Sequence, residues 1–435
     1  MLTEHDIAGG LQHMEQPEPA IALMPCGNLF EDFFDTVGVS LEILRTEQTG
    51  GWMFNYIDAL KLAGVRTVLL FISARVSEPR HFIHEPTGAK VWVLPAPKPH
   101  CALRGFTRTV KPRGRRFINS LDGYLLLPLG LLAQVLKQGG CQAILFQDYE
   151  KPAFDLSILL GRQLGIPVFA TFQGGKPSRN PLEQLVRQLA LRQCTGLIIA
   201  PQTEINRVKD RYGMSSTKIA QIFNPMDVIN WRAMDRNEAR TALGIPLDTR
   251  IVVCHGRIDI VQKGLDILLE AWKQICDQRP GQNLCLLVVG AGSDSPVLRQ
   301  QITERQLSNV LWVDEYIRDR TLLWQYLSAA DVYTLPSRHE GFPVAPIEAM
   351  TCGLPVVAAD APGVPDILAG GEASGGLIVP RGDAEALAQA LGRVLDDEAL
   401  RHELGRRARC RAEEQFSLEA IGKQLRNFLF SHTGG

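Results

Sequence analysis

The sequence contains no uninterrupted apolar segment long enough to span a bilayer. Its longest apolar stretch, from Tyr124 to Leu136, is broken by Pro128, Gly130 and Gln134, whereas a membrane-spanning helix needs about 20 apolar residues. The first 19 residues carry four acidic side chains and no apolar core, so they do not have the pattern of a secretory signal. We therefore expect no transmembrane helix and a cytoplasmic location.

Cysteine pairs, acidic metal-binding motifs and an excess of one charge are absent as well. The nine cysteines are scattered without a C-x-x-C pair, which predicts reduced thiols rather than a disulfide framework. The sequence has no D-x-D motif, the kind of acidic pair that holds a metal ion on a diphosphate, so we expect no metal cofactor. Its 46 basic and 47 acidic residues give a net charge of -1, which disfavours nucleic acid as a partner.

What the sequence does contain is a regular alternation of short apolar runs and amphipathic segments. Hydrophobic residues make up 45% and charged residues 21% of its 435 positions, which is typical of a globular protein of two or three domains. The alternation predicts an α/β fold with βαβ units on parallel sheets. The predicted strands cover residues 20–26, 66–72, 90–94, 142–146, 167–172 and 196–200 in the first half, and 251–254, 284–289, 310–313, 332–335, 355–358 and 377–379 in the second.

A turn-forming stretch at residues 222–227, with the sequence IFNPMD, separates the two series of strands. We therefore predict an N-terminal Rossmann-like domain over residues 1–222 and a C-terminal one over residues 223–416, facing each other across a cleft. Ligands of open parallel sheets bind at the carboxyl ends of the strands, so the cleft is the expected site. The amphipathic helix predicted at residues 417–432 needs a further surface to pack on.

The most informative segment is PSRHEGFPVAPIEAMTCGLPVVAADAPGVP, from Pro336 to Pro365. Glu340 follows a predicted strand, and Glu348 lies about one turn inside the next helix, whose first position suits Pro343. Both carboxylates can then face one cleft and accept hydrogen bonds from sugar hydroxyls. The alternative is a solvated loop charge and a carboxylate that the helix dipole favours.

Two basic residues precede this segment, at the ends of other predicted elements. Arg257 follows the strand at 251–254, and Lys263 opens the next helix. Together they could hold a diphosphate. The guanidinium of Arg257 would donate two parallel hydrogen bonds, and the ammonium of Lys263 would supply a compact positive charge. Alternatively, each of them only solvates its own loop. The glycine turn at Gly290 is of low specificity by itself.

These motifs occur in an order that resembles a known family. HGR at 255–257, KGLDILLEA from 263, VVGAGS from 288 and the segment from Pro336 to Pro365 are similar to the donor domain of retaining family-4 glycosyltransferases of GT-B architecture, over about residues 221–410. The resemblance implies two Rossmann-like domains, with a nucleotide-sugar donor bound to the second and an acceptor to the first. It also implies metal-independent transfer with retention at the anomeric carbon.

The resemblance further implies roles for single residues. Arg257 and Lys263 would hold the donor diphosphate, and they would be catalytic together with Glu340. Glu340 would meet the sugar hydroxyls, and Glu348 would hold the ribose. The other implied donor contacts are Gly256, Gly290, Gly341, Phe342, Pro343, Val344, Gly50 and Gly51. The final helix would cross back onto the N-terminal domain.

The first half resembles the family only in outline. The loop at Gly50 and Gly51 is similar to the family's glycine loop beside the donor phosphates, but residues 28–48 precede it as an insertion, which either covers the cleft or is a surface excursion. Gln173 stands where many members have a histidine; it can hydrogen-bond a hydroxyl but cannot take a proton at neutral pH. Gln173 is a candidate contact for the sugar or the acceptor, or only a cap for its own turn. Asp148, at the end of another strand, is a further candidate for this contact.

The stretch from Arg104 to Arg116 is a strong charge run, with six basic residues in thirteen and no acidic one. It predicts either a solvated loop or a site that docks to an anionic membrane or a phosphate-bearing acceptor. In the second case the protein would be peripheral on the inner membrane face.

The sequence therefore predicts a retaining glycosyltransferase. It would move a sugar from a UDP-sugar, or else a GDP-sugar, to a polysaccharide, lipid-linked or small-molecule acceptor. One alternative is a nucleotide-sugar-binding protein without transferase activity. The other is a GT-B epimerase or sugar-phosphate synthase.

Overall fold

The computed structural model describes residues 18–431 except 26–27, 49–50, 108–120, 176, 179, 232 and 318. Two sheets, each with core side chains on both faces, make up this part of the chain. The α/β class predicted from the sequence is therefore confirmed. No helix within the described residues is long and apolar enough to cross a membrane.

The first sheet belongs to the N-terminal domain. Its strands are β1 (Ala20–Met24), β2 (Arg66–Ser73), β3 (Arg80–Ile83), β4 (Lys90–Pro95), β5 (Cys141–Gln147), β6 (Val168–Thr171), β7 (Gly196–Ile198) and β8 (Ile219–Ala220). They lie in the order β3-β4-β2-β1-β5-β6-β7-β8, and β3 pairs antiparallel with β4 while the other pairs are parallel. The α-helices are Phe30–Phe34, Leu41–Thr46, Gly51–Leu62, Lys98–Thr107, Leu129–Gln138, Pro152–Leu164, Pro181–Gln193 and Gln202–Tyr212, with helical residues also at 121–125.

The second sheet belongs to the C-terminal domain and is parallel throughout the described residues. Its strands are β9 (Arg250–His255), β10 (Leu284–Val289), β11 (Val310–Val313), β12 (Val332–Leu335), β13 (Val356–Ala359) and β14 (Gly376–Val379), in the order β11-β10-β9-β12-β13-β14. The α-helices are Arg236–Ala242, Ile260–Lys263, Leu265–Gln278, Ser295–Glu304, Arg320–Ala329, Ala345–Thr351, Val364–Ile367, Ala384–Asp396, Glu398–Phe416 and Leu418–Phe430.

The predicted strands are all present, with ends that differ by two residues at most. The sequence analysis missed β3 and β8. The strand β3 lies at the sheet edge, and its four residues are mostly exposed, so it lacks the apolar run of a buried parallel strand. The strand β8 has only two residues, too few to show any periodicity.

The insertion at residues 28–48 packs into the N-terminal domain. The rings of Phe30 and Phe34 lie edge-on to Phe71 of β2, with centroids 5.4 and 5.6 Å away. Glu31 Oε1 accepts a hydrogen bond of 2.8 Å from the backbone N–H of Ala74, just beyond the end of β2. Burial of the aromatic rings therefore fixes the insertion at the carboxyl end of this strand.

The chain passes between the two domains at two points that lie side by side. Met226 belongs to the first passage, and its backbone N–H donates to the carbonyl oxygen of Phe416 at 2.7 Å. Met226 also pairs with Ser417, in the second passage, as a parallel β-bridge. The two passages thus form one hydrogen-bonded connection.

The final helix, Leu418–Phe430, packs on the N-terminal domain. Its buried residues Ile421, Leu425 and Leu429 belong to the core on one face of the first sheet. Gly422 allows a close approach, because a Cβ there would lie 2.1 Å from the carbonyl oxygen of Ala59.

Candidate functional site

The predicted site residues of the C-terminal domain lie at the carboxyl ends of β9, β10 and β12 and in the helices that follow β9 and β12. In a parallel sheet these strand ends share one edge, where ligands of such sheets bind. The motifs at residues 255–257, 288–293 and 336–348 are thereby brought together. Their side chains form two hydrogen-bonded pairs, described next.

The first pair joins Glu348 to a histidine that the sequence analysis did not single out. His255, the last residue of β9, has its Nε2 2.8 Å from Glu348 Oε2, and its ring lies 5.3 Å from that of Tyr333 on β12. Its Nδ1 is buried without a hydrogen-bond partner among the described residues. The histidine therefore fixes the orientation of the carboxylate. Its position at a strand end, directly before the glycine of HGR, was the signal that could have found it.

The second pair joins two of the predicted catalytic residues. Glu340 is 7% exposed, and its Oε1 accepts hydrogen bonds from Lys263 Nζ at 2.8 Å and from Ser337 Oγ at 2.6 Å. Lys263 is the last residue of the short helix Ile260–Lys263. The lysine thus compensates the charge of a buried carboxylate in this structure. Ser337 is a further residue that the sequence analysis missed.

Arg257 lies beside the same loop but is largely exposed, with 63% of its side chain accessible. Its Nη2 donates to Gln262 Oε1 at 3.1 Å. The carbonyl oxygen of Gln262 in turn accepts from the backbone N–H groups of Arg338 and His339. Arg257 therefore connects to the loop that carries Glu340 through one intermediate residue, and its largely exposed guanidinium lies 3.8 Å from Asp259.

Glycine is required where β9 and β10 end next to each other. Gly290 has a φ of +139°, and a Cβ on it would lie 1.9 Å from the carbonyl oxygen of Gly256. No other residue fits such a distance. The glycine turn at Gly290 has low specificity as a sequence motif. In the structure it brings two strand ends into close contact at the edge of the site.

The loops of the two domains touch at a second pair of glycines. A Cβ on Gly341 would lie 2.7 Å from the Cα of Gly174. Next to Gly174, Gln173 donates through its Nε2 to Thr171 Oγ1 at 3.1 Å. The structure therefore brings the predicted acceptor-side residue Gln173 next to the loop of Glu340, across the two domains.

The segment after Gly341 differs from the prediction in one respect. The helix begins at Ala345, with Val344 as its N-cap, and Pro346 occupies its first turn. Placing Pro343 at the first helical position was therefore wrong. The N–H groups of the first helical turn have no acceptor within the helix. A proline without an N–H group is therefore tolerated at Pro346 as well as at the first position. The ring of Phe342 is buried and stacks on Phe223 at 5.4 Å, which leaves its backbone as the part available to a ligand.

Asp148 lies beneath the loop of Gln173 rather than in open space. Only 3% of it is exposed, its Oδ1 accepts from the backbone N–H of Glu150 at 3.2 Å, and a Cβ on Gly175 would lie 2.4 Å from its Oδ2. Burial raises the pKa of Asp148 to about 6. The Asp148 carboxylate therefore packs against the backbone of the loop that carries Gln173 and Gly175.

Replacing Asp148 by asparagine should stabilise the protein at neutral pH only. The folded chain holds this carboxyl with a pKa of about 6, above the unfolded value of about 3.9. Folding therefore weakens as the pH rises between these values, by about 2–3 kcal/mol in total. Asparagine keeps the acceptor oxygen and cannot ionise. Urea unfolding should show the variant more stable at pH 7.5 and equal to the wild type near pH 4; a difference that is the same at both would contradict this account.

A buried charged group that interacts electrostatically with Glu348 was also missed. Burial lowers the pKa of the Arg320 guanidinium, against the opposing effects of Glu348, Asp227 and Asp58. Burial likewise raises the pKa of Asp58, which belongs to the N-terminal domain, to about 6. These charges interact across the two domains. They lie far apart in the sequence, so no local pattern connects them.

The predicted glycine loop of the N-terminal domain is described only in part. Gly50 lies outside the described residues. Gly51 is exposed and starts the helix Gly51–Leu62 with a φ of +68°. Among the described residues, no group of three or more His, Cys, Asp or Glu side chains is arranged to hold a metal ion. The described site offers carboxylate acceptors and cationic donors, a combination suited to a ligand that is both polyhydroxylated and anionic.

The C-terminal domain matches a known family. Residues 235–411 match the family model described as glycosyl transferases group 1. The chain is 25% identical over 398 residues to GDP-mannose-dependent monoacylated alpha-(1-6)-phosphatidylinositol monomannoside mannosyltransferase of Corynebacterium glutamicum, which covers 88% of this chain and 94% of that protein. It is 33% identical over 225 residues to D-inositol 3-phosphate glycosyltransferase of Saccharomonospora viridis. That match covers 50% of this chain and 51% of the relative, so the chain spans about half the relative's length.

Solved structures resemble the whole chain. Sucrose-phosphate synthase from Thermosynechococcus elongatus has a TM-score of 0.69 at 24% identity, covering 95% of this chain and 99% of its own. Anabaena HepE in complex with UDP has a TM-score of 0.70 at 19% identity, covering 95% and 100%. At these identities the likeness establishes the fold, which is GT-B, as predicted. The chain therefore has the GT-B fold, and its C-terminal domain matches the model of glycosyl transferases group 1.

Proposed function

We propose that this chain is a glycosyltransferase that moves a sugar from a nucleoside diphosphate sugar to an acceptor at the N-terminal domain, with retention at the anomeric carbon and without a metal ion. The observation that carries the proposal is the pair of bonded carboxylates, Glu348 with His255 and Glu340 with Lys263, at one sheet edge. The motifs that hold them are those of the donor domain that the sequence resembles.

Each side chain has a place in this reaction. Glu348, oriented by His255, accepts hydrogen bonds from the ribose hydroxyls, and Glu340 accepts hydrogen bonds from hydroxyls of the donor sugar. Arg257 and Lys263 stabilise the diphosphate as negative charge develops on it, and fixed cations of this kind take the place of a metal. The acceptor oxygen attacks from the side on which the diphosphate leaves, so catalysis rests on placement and on charge stabilisation.

UDP is our first choice for the nucleotide, and GDP is the next. The structural neighbour HepE is described as a complex with UDP, whereas the mannosyltransferase relative is named as GDP-mannose-dependent. That relative acts on an acylated phosphatidylinositol mannoside, which favours a lipid-linked acceptor over a polysaccharide or a small molecule.

Thermal unfolding with UDP, GDP, ADP and their sugars tests the donor site. A nucleotide that binds only the folded chain raises its stability, by about 2.7 kcal/mol at a hundred times its Kd. We expect one nucleotide to raise the Tm, equally with and without a chelator, and Glu348→Ala to abolish the effect. Glu270→Ala, at an exposed position of the same domain, should leave it intact. An equal Tm shift in Glu348→Ala would refute the assignment, and a shift that the chelator removes would refute metal independence.

Gln173 motivates the alternative of a protein that binds nucleotide sugars without transferring them. Its amide cannot act as a general acid or base at neutral pH, and in this structure it donates a hydrogen bond to Thr171. Nucleotide binding with neither transfer nor hydrolysis of the sugar would favour this alternative. Product analysis also separates a transferase from a GT-B epimerase or a sugar-phosphate synthase.

A further inference from the structure

Helix Pro181–Gln193, the first helix after β6, exposes three leucines and buries two charged side chains. Leu182, Leu185 and Leu189 are 61%, 55% and 48% exposed. The charged side chains at positions 183 and 187 are buried instead. A surface helix of a water-soluble domain normally has the opposite arrangement.

Buried ion pairs hold the helix in this orientation. Arg187 Nε donates to Asp155 Oδ1 at 2.6 Å, and its Nη1 donates to Glu150 Oε2 at 3.2 Å. Glu183 lies 4.0 Å from Arg187 in the same interior. Removing either partner would leave a buried charge unpaired, which is strongly unfavourable. These buried ion pairs keep Glu183 and Arg187 on the inner face of the helix. The three leucines therefore point outward.

The outward leucines belong to a larger apolar surface. A groove of about 460 Å³ lies between this helix, the helix Pro152–Leu164 and helical residues 121–125. Leu121 and Leu159 line it and are 43% and 57% exposed. We call this set of side chains the leucine surface: Leu121, Leu159, Leu182, Leu185 and Leu189.

The exposed charges of the two long helices beside the leucine surface are basic. The carboxylates of the two long helices, Asp155 and Glu183, are both buried, whereas Arg162 and Arg192 are exposed. Asp122, next to Leu121, is a partly exposed carboxylate whose Oδ1 lies 2.9 Å from His100 Nδ1. Residues 108–116 of the basic run in the sequence lie outside the described residues, and Arg104 pairs with Asp32. An apolar patch with exposed arginines beside it matches an anionic lipid surface.

We propose that the leucine surface docks on a lipid bilayer with anionic headgroups. The leucines enter the boundary between headgroups and acyl chains, and Arg162 and Arg192 lie among the headgroups. A second copy of the chain fits less well, because a two-fold contact through this surface would bring the same arginines together.

The leucine surface lies close to the cleft in the sequence, which relates membrane docking to access of the acceptor. Leu182 follows Gly174, which touches Gly341 at the cleft, by eight residues, which span at most about 29 Å. A bilayer on the leucine surface therefore lies near the acceptor side of the cleft. The docking itself does not depend on the proposed function, because it is measured without a donor or an acceptor.

Vesicle co-sedimentation of the full chain tests this proposal. We expect binding to vesicles with about a third phosphatidylglycerol, and weaker binding to phosphatidylcholine alone. The variant Leu182→Gln/Leu185→Gln/Leu189→Gln should bind at least about tenfold more weakly. A matched control, Ile229→Gln/Leu247→Gln/Val297→Gln, changes residues 66%, 54% and 47% exposed elsewhere and should bind like the wild type. Arg162→Gln/Arg192→Gln should reduce only the preference for anionic vesicles.

Three results would overturn the proposal. Unchanged vesicle binding in the leucine variant would show that the surface does not meet the bilayer. A wild-type dimer that the leucine variant converts to monomers, without vesicle binding by either, would assign the surface to a second copy. A lowered Tm in the leucine variant, again without wild-type vesicle binding, would mean that another part of this chain covers the leucines.

Discussion

Replacing Lys263 by alanine should lower turnover by a factor of about 10²–10³, the usual cost of losing one group that stabilises charge in a transition state. Lys263 holds a proposed place beside the leaving diphosphate, and its Nζ is within hydrogen-bond distance of Glu340. Initial rates of sugar transfer or of donor hydrolysis measure the effect. Lys273→Ala, at an exposed position of the same domain, is the control and should keep the wild-type rate.

Loss of Lys263 also leaves the buried Glu340 without its cation, so an inactive variant could simply be unstable. Ser337 still donates to that carboxylate, and we expect the single variant to fold with a lowered Tm. The double variant Lys263→Ala/Glu340→Gln removes the unpaired charge and should regain part of the Tm while staying inactive. Turnover close to that of the wild type in a folded Lys263→Ala protein would refute the assignment.

Replacing Gly341 by alanine should separate donor binding from transfer. The new Cβ would meet the backbone of Gly174 at 2.7 Å, so the two domains could not approach as closely as they do here. A displacement of about 1 Å between reacting groups costs about 10² in rate. We expect transfer to fall by that factor while the nucleotide still raises the Tm, because His255 and Glu348 are untouched.

Gly130→Ala provides the control for Gly341→Ala. A Cβ on Gly130 meets no atom within 4 Å, so this variant should transfer sugar at the wild-type rate. Loss of the nucleotide-induced Tm shift in Gly341→Ala would contradict the prediction, since it would mean that the alanine damages the donor site itself. Undiminished transfer would show that the close contact of the loops is not needed.

Local patterns in the sequence were sufficient for most of the fold. Buried parallel strands are continuous apolar runs, and the strand and turn signals around Glu340 and Arg257 place both residues at strand ends, where the structure has them. What local patterns could not show is which distant side chains meet. Lys263 and Glu340 are 77 positions apart, and His255 and Glu348 are 93 apart.

The leucine surface shows where a periodic pattern misleads. Leu182, Leu185 and Leu189 recur at the spacing of one helix face, and by that pattern alone they belong in the core. The interior position goes to Arg187 instead, because Asp155 and Glu150 are buried opposite it. Tertiary ion pairing therefore overrides the amphipathic pattern in this helix.

The side-by-side passages of the chain between its domains restrict how the cleft can open. Met226 and Phe416 are joined by a backbone hydrogen bond, so the two connections act as a single line of attachment. Two domains connected in this way can rotate about the connection as about a hinge. They cannot slide past each other without breaking the hydrogen bond between Met226 and Phe416. A relative rotation of the two domains about this connection would keep the bond, whereas a sliding movement would cost about 1 kcal/mol for its loss.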